Sequence, residues 1–200
     1  MHVPPKDVDA VVATHSHLDH SGAVPVFHIH DRKPVYGTIL NMNLANVLIK
    51  DFIKLSSYYL PFEYLELRSM MRSLVYTDYK EEVTIGDIKF QLLNSGHLPG
   101  AASILVEAEG KRLLYTSDYN TIETKLLPGA DLDYGELDAL IIESTYADEE
   151  HTERKDLEEK FFGDVLETVE AGGTVLVPAF SVGRAQEIAC VLASHHFEYP

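Results

Sequence analysis

The spacing of apolar residues changes twice along this chain, and each change marks a different kind of element. Residues 8–13, Val-Asp-Ala-Val-Val-Ala, form a short β-branched run suited to a buried strand, most simply a parallel one. Ala23, Val24, Val26 and Phe27 predict a helix starting near Ser21 and Gly22, with Pro25 in its first turn. Residues 34–38 read as a short strand. From residue 41 to about residue 76 the period is helical. Leu44, Val47, Leu48, Phe52 and Leu55 recur at three- and four-residue spacing, and Pro61 separates two helices. The period then drops to two. Residues 83–85, 88–93, 103–107 and 112–115 predict four antiparallel strands, punctuated by Gly86-Asp87 and by Glu109-Gly110-Lys111. Residues 138–143 predict one more buried strand.

After about Asp148 the composition shifts. Residues 149–170 predict a charged amphipathic helix with Leu157, Phe161, Val165, Leu166 and Val169 on one stripe, stopped by Gly172-Gly173. Residues 174–177 read as a strand. Ser181 then caps a helix over 182–193, whose apolar stripe takes in Ile188, Cys190, Val191 and Leu192 as core. This is a β/α unit of a second, doubly wound layer. The expected fold class is α/β, with one domain over 1–148 and the beginning of another over 149–200.

Composition narrows the class. Of 200 residues, 46% are hydrophobic and 24% charged, the balance of a folded chain and not of a disordered one. The longest apolar runs, such as 139–142 and 175–177, fall far short of the ~20 residues that span a bilayer, so no membrane partner is expected. Residues 1–9 read as the approach to a core strand and not as a signal segment. The single cysteine, Cys190, fits a reducing cytoplasm. The net charge of −16 repels polyanions at long range and excludes a simple basic-patch nucleic-acid binder. It does not exclude an enzyme that holds a phosphodiester on metal ions, because each divalent ion brings two positive charges to the contact. Mild halophily or plain solubility accounts for the same acidity.

The strongest chemical signal is His15-x-His17-x-Asp19-His20, four candidate metal ligands in six residues after a buried strand. In an extended segment His15 and His17 project to the same side and suit one metal. As the chain turns into a helix, Asp19 and His20 swing to the other side, where they suit a second. Imidazole and carboxylate favour zinc, with manganese or iron as alternatives. Ser95-Gly-His97-Leu-Pro-Gly100 places a histidine at a strand-to-loop junction, and Thr116-Ser-Asp118 places an aspartate at a strand end. The carboxyl ends of strands are where α/β sheets put their sites.

These motifs resemble the metallo-β-lactamase superfamily. Ile141-Ile-Glu-Ser-Thr-Tyr146, the segment from Val177 to Glu187 (Val-Pro-Ala-Phe-Ser-Val-Gly-Arg-Ala-Gln-Glu) and the long helical stretch before His97 narrow the resemblance to its beta-CASP branch. That branch holds RNA and DNA nucleases such as the cleavage and polyadenylation specificity factor endonuclease, its archaeal relatives and ribonuclease J. The resemblance implies an αββα sandwich, here incomplete. It also implies zinc-dependent hydrolysis of RNA phosphodiester bonds by a two-metal mechanism, as a 3′-end processing endonuclease on single-stranded RNA, with a 5′-exonuclease as the nearest variant. It assigns His15, His17 and His97 to one zinc, Asp19 and His20 to the second, and Asp118 to both. Asp19 doubles as a catalytic residue, and Glu143 orients a histidine that protonates the leaving oxygen. Ser181 and Arg184 are candidate substrate contacts. Arg184 otherwise pairs with Glu187 or Asp164.

The chain also departs from the family. Only 14 residues precede His15, where the family has its first strands, and no match exists for two late histidines of the branch. His195 and His196 read as a solvated helix end, His28 and His30 as helix-end surface residues, and His151 as the start of the acidic helix. The sequence therefore looks truncated at both ends, and an apolar face left uncovered predicts self-association. Two competing readings stay open: a small-ester hydrolase of the same superfamily, and an inactive zinc-binding fragment or scaffold. A homodimer or the subunits of a processing complex are the candidate protein partners.

Overall fold

The computed structural model describes residues 3–56 and 58–195. It divides into two compact units, residues 1–122 with 129–143, and residues 123–128 with 144–200.

The first unit is an α/β structure built on two sheets. A three-stranded parallel sheet holds β1 (Val11–Val12), β2 (Val35–Gly37) and β3 (Leu74–Tyr76) in that order. A five-stranded sheet holds β4 (Val83–Ile85), β5 (Ile88–Asn94), β6 (Ala102–Ala108), β7 (Lys111–Tyr115) and β8 (Ala139–Ile141). The first four of these are antiparallel, as the alternating pattern predicts, and β8 joins β7 in parallel. The β6–β7 turn places Glu109 (φ 52°) and Gly110 (φ 70°) in the left-handed region, which matches the right-handed twist of the flanking strands.

Alternation along the strands decides the layers. Phe90 and Leu92 of β5, with Ala102 and Ile104 of β6, face Val12 and Tyr36 of the parallel sheet. There Tyr36 and Phe90 meet edge to face at 5.4 Å. On the opposite side Leu93, Leu105 and Leu114 pack under Tyr134 and Leu137. The far face of the parallel sheet carries α2 (Ile39–Leu55) and α3 (Tyr64–Met71), with Met42, Ala45, Ile49, Leu67 and Met70 buried against Val35 and Ala13.

Several expectations are corrected. The first helix, α1 (Leu18–Ser21), begins before Ser21, and Pro25 lies in a separate 3-10 helix, Val24–His28. The helical stretch ends at α3, because residues 74–76 pair with β2 as a strand. The buried stripe of α2 is Met42, Ala45 and Ile49, whereas Val47 is 56% and Leu55 77% exposed. Residues 139–141 do form a strand, but at the sheet edge with both neighbouring faces open, so Leu140 and Ile141 are exposed and not buried. His28 is buried, not at the surface, while His30 is exposed.

The second unit holds α4 (Arg154–Glu170) and α5 (Arg184–Ala193). Gly172 ends α4 with φ 78°, as predicted, but α4 starts after His151, which is exposed and meets Tyr146 ring to ring at 4.7 Å. Residues 174–177 are not a strand: no ladder partner lies beside them among the described residues, and Leu176 is 91% exposed. Ser181 does not cap α5. Gly183 takes the capping position with φ 83°, and its N–H donates to Gln186 Oε1 at 2.7 Å. Cys190 is half-buried and not core, whereas Val191 is buried. His195 stacks on Phe162 at 3.9 Å and so is not a solvated end; His196 lies outside the described residues. Among the described residues no helix is long and apolar enough to cross a membrane.

Candidate metal centre

Three strand ends build the centre. β1 leads into Thr14 and His15, β5 into the loop that carries His97, and β7 into Asp118. The chain after β1 stays extended at His17 (φ −57°, ψ 144°), which turns His15 and His17 toward one point, their ring centroids 5.0 Å apart. α1 then carries Asp19 and His20 in its single turn.

Ligand atoms of His15, His17, His97 and Asp118 all lie within 4.8 Å of one another. His97 Nε2 stands 3.3 Å from His17 Nδ1 and 3.5 Å from Asp118 Oδ2. His15 Nε2 stands 3.7 Å from the same carboxylate oxygen. A tetrahedral zinc with ligands near 2.1 Å sets neighbouring donors about 3.4 Å apart, so these spacings fit such an ion. The other carboxylate oxygen, Oδ1, faces His20 Nε2 at 3.5 Å, and His20 Nε2 also lies 3.5 Å from Asp19 Oδ2. Asp118 therefore presents one oxygen to each of two groups of side chains. Asp19 is the open member, its side chain 79% exposed.

The electrostatics suit metal ligation. Burial, and then the neighbouring imidazoles His20, His97 and His17, press the His15 pKa down to about 2. His97 is also held below the ordinary imidazole range, chiefly by burial, although Asp118 and Glu143 oppose it. Both rings are therefore neutral at pH 7, the form that binds a metal. His15 Nε2 is buried with no hydrogen-bond partner, an orphaned donor atom that a cation would satisfy. The residues present fit a divalent ion.

The supporting shell was not foreseen from the sequence. Ser117 Oγ donates to Thr14 Oγ1 at 2.9 Å, and these hydroxyls lie 3.4 and 3.3 Å from His15 Nδ1. That leaves Nε2 to face the centre. Ser117 itself is a non-glycine residue at φ 53°. Asn41 Nδ2 donates to the Ala13 carbonyl at 2.8 Å, holding the end of β1. Thr38 Oγ1 caps α2 by accepting from the Asn41 N–H, and donates to the Gly100 carbonyl at 2.6 Å, which ties the His97 loop to that helix. The one available signal was Thr38 at the start of a helical pattern. Gly96 has φ 68°, and a Cβ there would meet the Asn120 carbonyl oxygen at 2.3 Å, so the loop needs glycine.

Glu143 is half-buried after β8 and acts on His97 through its charge. Ser181 and Arg184 belong to the second unit. Ser181 is exposed, and its carbonyl accepts from Gln186 Nε2 at 2.9 Å. Arg184, exposed in the first turn of α5, does not pair with Glu187 or Asp164. The partner of Glu187 is Arg154, because the buried Glu187 carboxylate points toward α4 and the 123–128 segment, where it also accepts the Lys125 and Leu126 N–H groups.

The histidine- and aspartate-lined centre at the strand ends of a two-sheet α/β unit is a candidate metal site. Residues 1–139 match the family model described as metallo-beta-lactamase superfamily. A protein named RNase aCSPSF2 from Saccharolobus solfataricus is 43% identical over 198 residues, covering 98% of this chain and 40% of that relative. Ribonuclease TTHA0252 of Thermus thermophilus is 35% identical, covering 98% and 45%. Cleavage and polyadenylation specificity factor subunit 3 of Dictyostelium discoideum is 32% identical, covering 97% and 26%. The chain belongs to the metallo-β-lactamase superfamily. It spans less than half the length of these relatives.

Proposed function

We propose that this chain carries the metal centre of a zinc-dependent ribonuclease that hydrolyses phosphodiester bonds of single-stranded RNA, as an endonuclease in 3′-end processing. The observation that carries the reading is the convergence of His15, His17, His97 and Asp118 within 4.8 Å, with His20 on the other oxygen of Asp118. Relatives named as ribonucleases and as a cleavage and polyadenylation factor subunit support the substrate class.

In this reading His15, His17, His97 and Asp118 would hold one zinc, and His20 and Asp19, with Asp118, would hold a second. Bound zinc supplies Lewis-acid polarisation of the phosphoryl oxygens and acidifies water. The side chains do the rest. Asp118, facing three imidazoles, sets the spacing of the two ligand groups. Exposed Asp19 accepts a proton from the attacking water and orients it. Glu143 supports His97 as a positioning residue. Arg184 and Ser181 contact the RNA backbone, the guanidinium matching phosphate oxygens. The reading extends residues 1–148 as the metallo-β-lactamase domain and 149–200 as part of the beta-CASP domain. Its compartment is the cytoplasm, and a second copy or other subunits of a processing complex are its partners.

The test is cleavage of end-labelled single-stranded RNA by the chain with zinc, with chelator, and as Asp19→Ala. Internal cleavage that needs zinc and disappears in the variant is the expected result. Zinc bound tightly with no cleavage in any lane overturns the nuclease reading and leaves a metal-binding scaffold.

A further inference from the structure

A cavity of about 260 Å³ lies in the first unit between the 3-10 helix Val24–His28 and α3. Its lining includes His28, Arg32, Glu66, Arg68, Ser69 and Arg72, and it shares no residue with the metal centre. In a chain of net charge −16, three of the six arginines line this one cavity.

Those arginines are unlike the other arginine of the first unit. Arg112 is held by the Glu136 and Tyr134 carbonyls. Arg32, Arg68 and Arg72 make no ion pair among the described residues. The one lining carboxylate, Glu66, accepts the Glu63 N–H at 2.8 Å and is committed to the start of α3. Arg68 in the last turn of α3 and Arg72 at its C-cap stand four positions apart, a spacing at which like charges repel. A helix C-terminus favours nearby cations, but that does not account for Arg32, which comes from another segment.

His28 is the independent observation. It is only 5% exposed, lines the cavity, and neither ring nitrogen has a hydrogen-bond partner among the described residues. Leaving both nitrogens unpaired in a buried position is costly. Burial, and then Arg32, hold its pKa below the ordinary imidazole value, so at pH 7 the ring is neutral with one N–H to donate. Three guanidinium forks and a ring donor around a small cavity match a tetrahedral oxyanion. The volume is below the ~300–1,000 Å³ of drug-sized ligand sites, which suits one phosphate group with hydrating water and not an enclosed nucleotide.

We propose that this cavity is a phosphate-binding site separate from the metal centre, in which Arg32, Arg68 and Arg72 clamp the oxyanion and His28 donates to it. The phosphate is either free inorganic phosphate or a backbone phosphate of RNA, which present the same chemistry.

The test is calorimetric titration of inorganic phosphate into the metal-free chain, beside the exposed double variant Arg68→Gln/Arg72→Gln and, with circular dichroism to check its fold, His28→Gln. Saturable binding to the parent, weakened about tenfold or more in the double variant, is expected from the loss of charged hydrogen bonds. The double variant should melt at the parent's temperature in phosphate-free buffer. No saturable binding to the parent, or equal binding to the double variant, overturns the proposal. A competition arm with labelled single-stranded RNA identifies the source. Displacement of RNA by phosphate in the parent, with weaker RNA binding by the double variant, supports a backbone phosphate. Phosphate binding with RNA unaffected supports the free anion.

Discussion

Replacing Ser117 tests how the centre aims its most buried ligand. Ser117 is 3% exposed, and its hydroxyl donates to Thr14 Oγ1 at 2.9 Å beside His15 Nδ1. Ser117→Ala removes that donor and leaves the Thr14 hydroxyl short of a partner in a buried site, a cost of about 1–3 kcal/mol. Ser117→Gly removes the same donor but relieves the left-handed backbone at φ 53°, worth about 1–2 kcal/mol. Glycine also frees the unfolded chain, which returns about 0.5–1 kcal/mol of that relief. The glycine variant should therefore be about 0–1.5 kcal/mol more stable than the alanine variant, as measured by urea unfolding in chelator. Zinc affinity, measured by competition with a chromogenic chelator, should fall about 10–100-fold in both, the usual effect of removing a group that orients a ligand. Zinc affinity within about twofold of the parent in both variants would refute the orienting role. A glycine variant less stable than the alanine one would refute the backbone argument.

Other outcomes follow from the same geometry. Gly96→Ala places a Cβ 2.3 Å from the Asn120 carbonyl at φ 68°, so it should destabilise the first unit by more than about 2 kcal/mol and lower zinc affinity by displacing His97, seen in unfolding and metal titration together. In metal-free protein, stability should fall with pH. His15, His28 and His97 have folded pKa values below the ordinary ~6.5, so the unfolded chain takes up protons there that the folded chain refuses. The loss begins as pH drops below about 6.5, at up to ~1.4 kcal/mol per pH unit for each such imidazole, and a flat urea midpoint from pH 7.5 to 5 would contradict it. Glu187→Ala leaves Arg154 and the Lys125 and Leu126 N–H groups without their shared acceptor. Breaking such a buried pair costs about 3–5 kcal/mol, and limited proteolysis should then cut within 123–128; resistance equal to the parent's would count against that clamp.

What could be read in advance was whatever the chain encodes over a few residues. His15, His17, Asp19 and His20 announce themselves by spacing, and Phe90, Leu92, Ile104 and Leu105 sort onto two faces because a strand has only two. The failures share a cause of the opposite kind. α2 is apolar on more than one face, so Leu44, Val47 and Leu55 looked as good a stripe as Met42, Ala45 and Ile49. Only the parallel sheet beneath decides which stripe turns inward. Thr174, Val175, Leu176 and Val177 have strand composition, but a strand exists only with a neighbour, and none lies beside them among the described residues. Likewise His28 carried no mark separating it from His30. One faces α3 across a cavity and the other faces water, a difference made by packing between segments about 40 residues apart.

Asn41 shows why the groups that hold the centre were harder to find than the ligands. By hydropathy it belongs on the wet side of α2, yet it is 1% exposed. The reason is a carbonyl. Ala13 ends β1 just before His15, and its oxygen lies beneath the start of α2, where an unpaired buried carbonyl would be costly. An amide at position 41 answers it at 2.8 Å, and the same helix start, through Thr38, answers the Gly100 carbonyl of the His97 loop at 2.6 Å. One helix N-terminus thus fixes two backbone segments that deliver ligands from opposite sheets. The ligands are chosen by the metal's chemistry and repeat as a motif. Their supports are chosen by whichever backbone groups the fold leaves unpaired, and those are known only once the two sheets have been brought together.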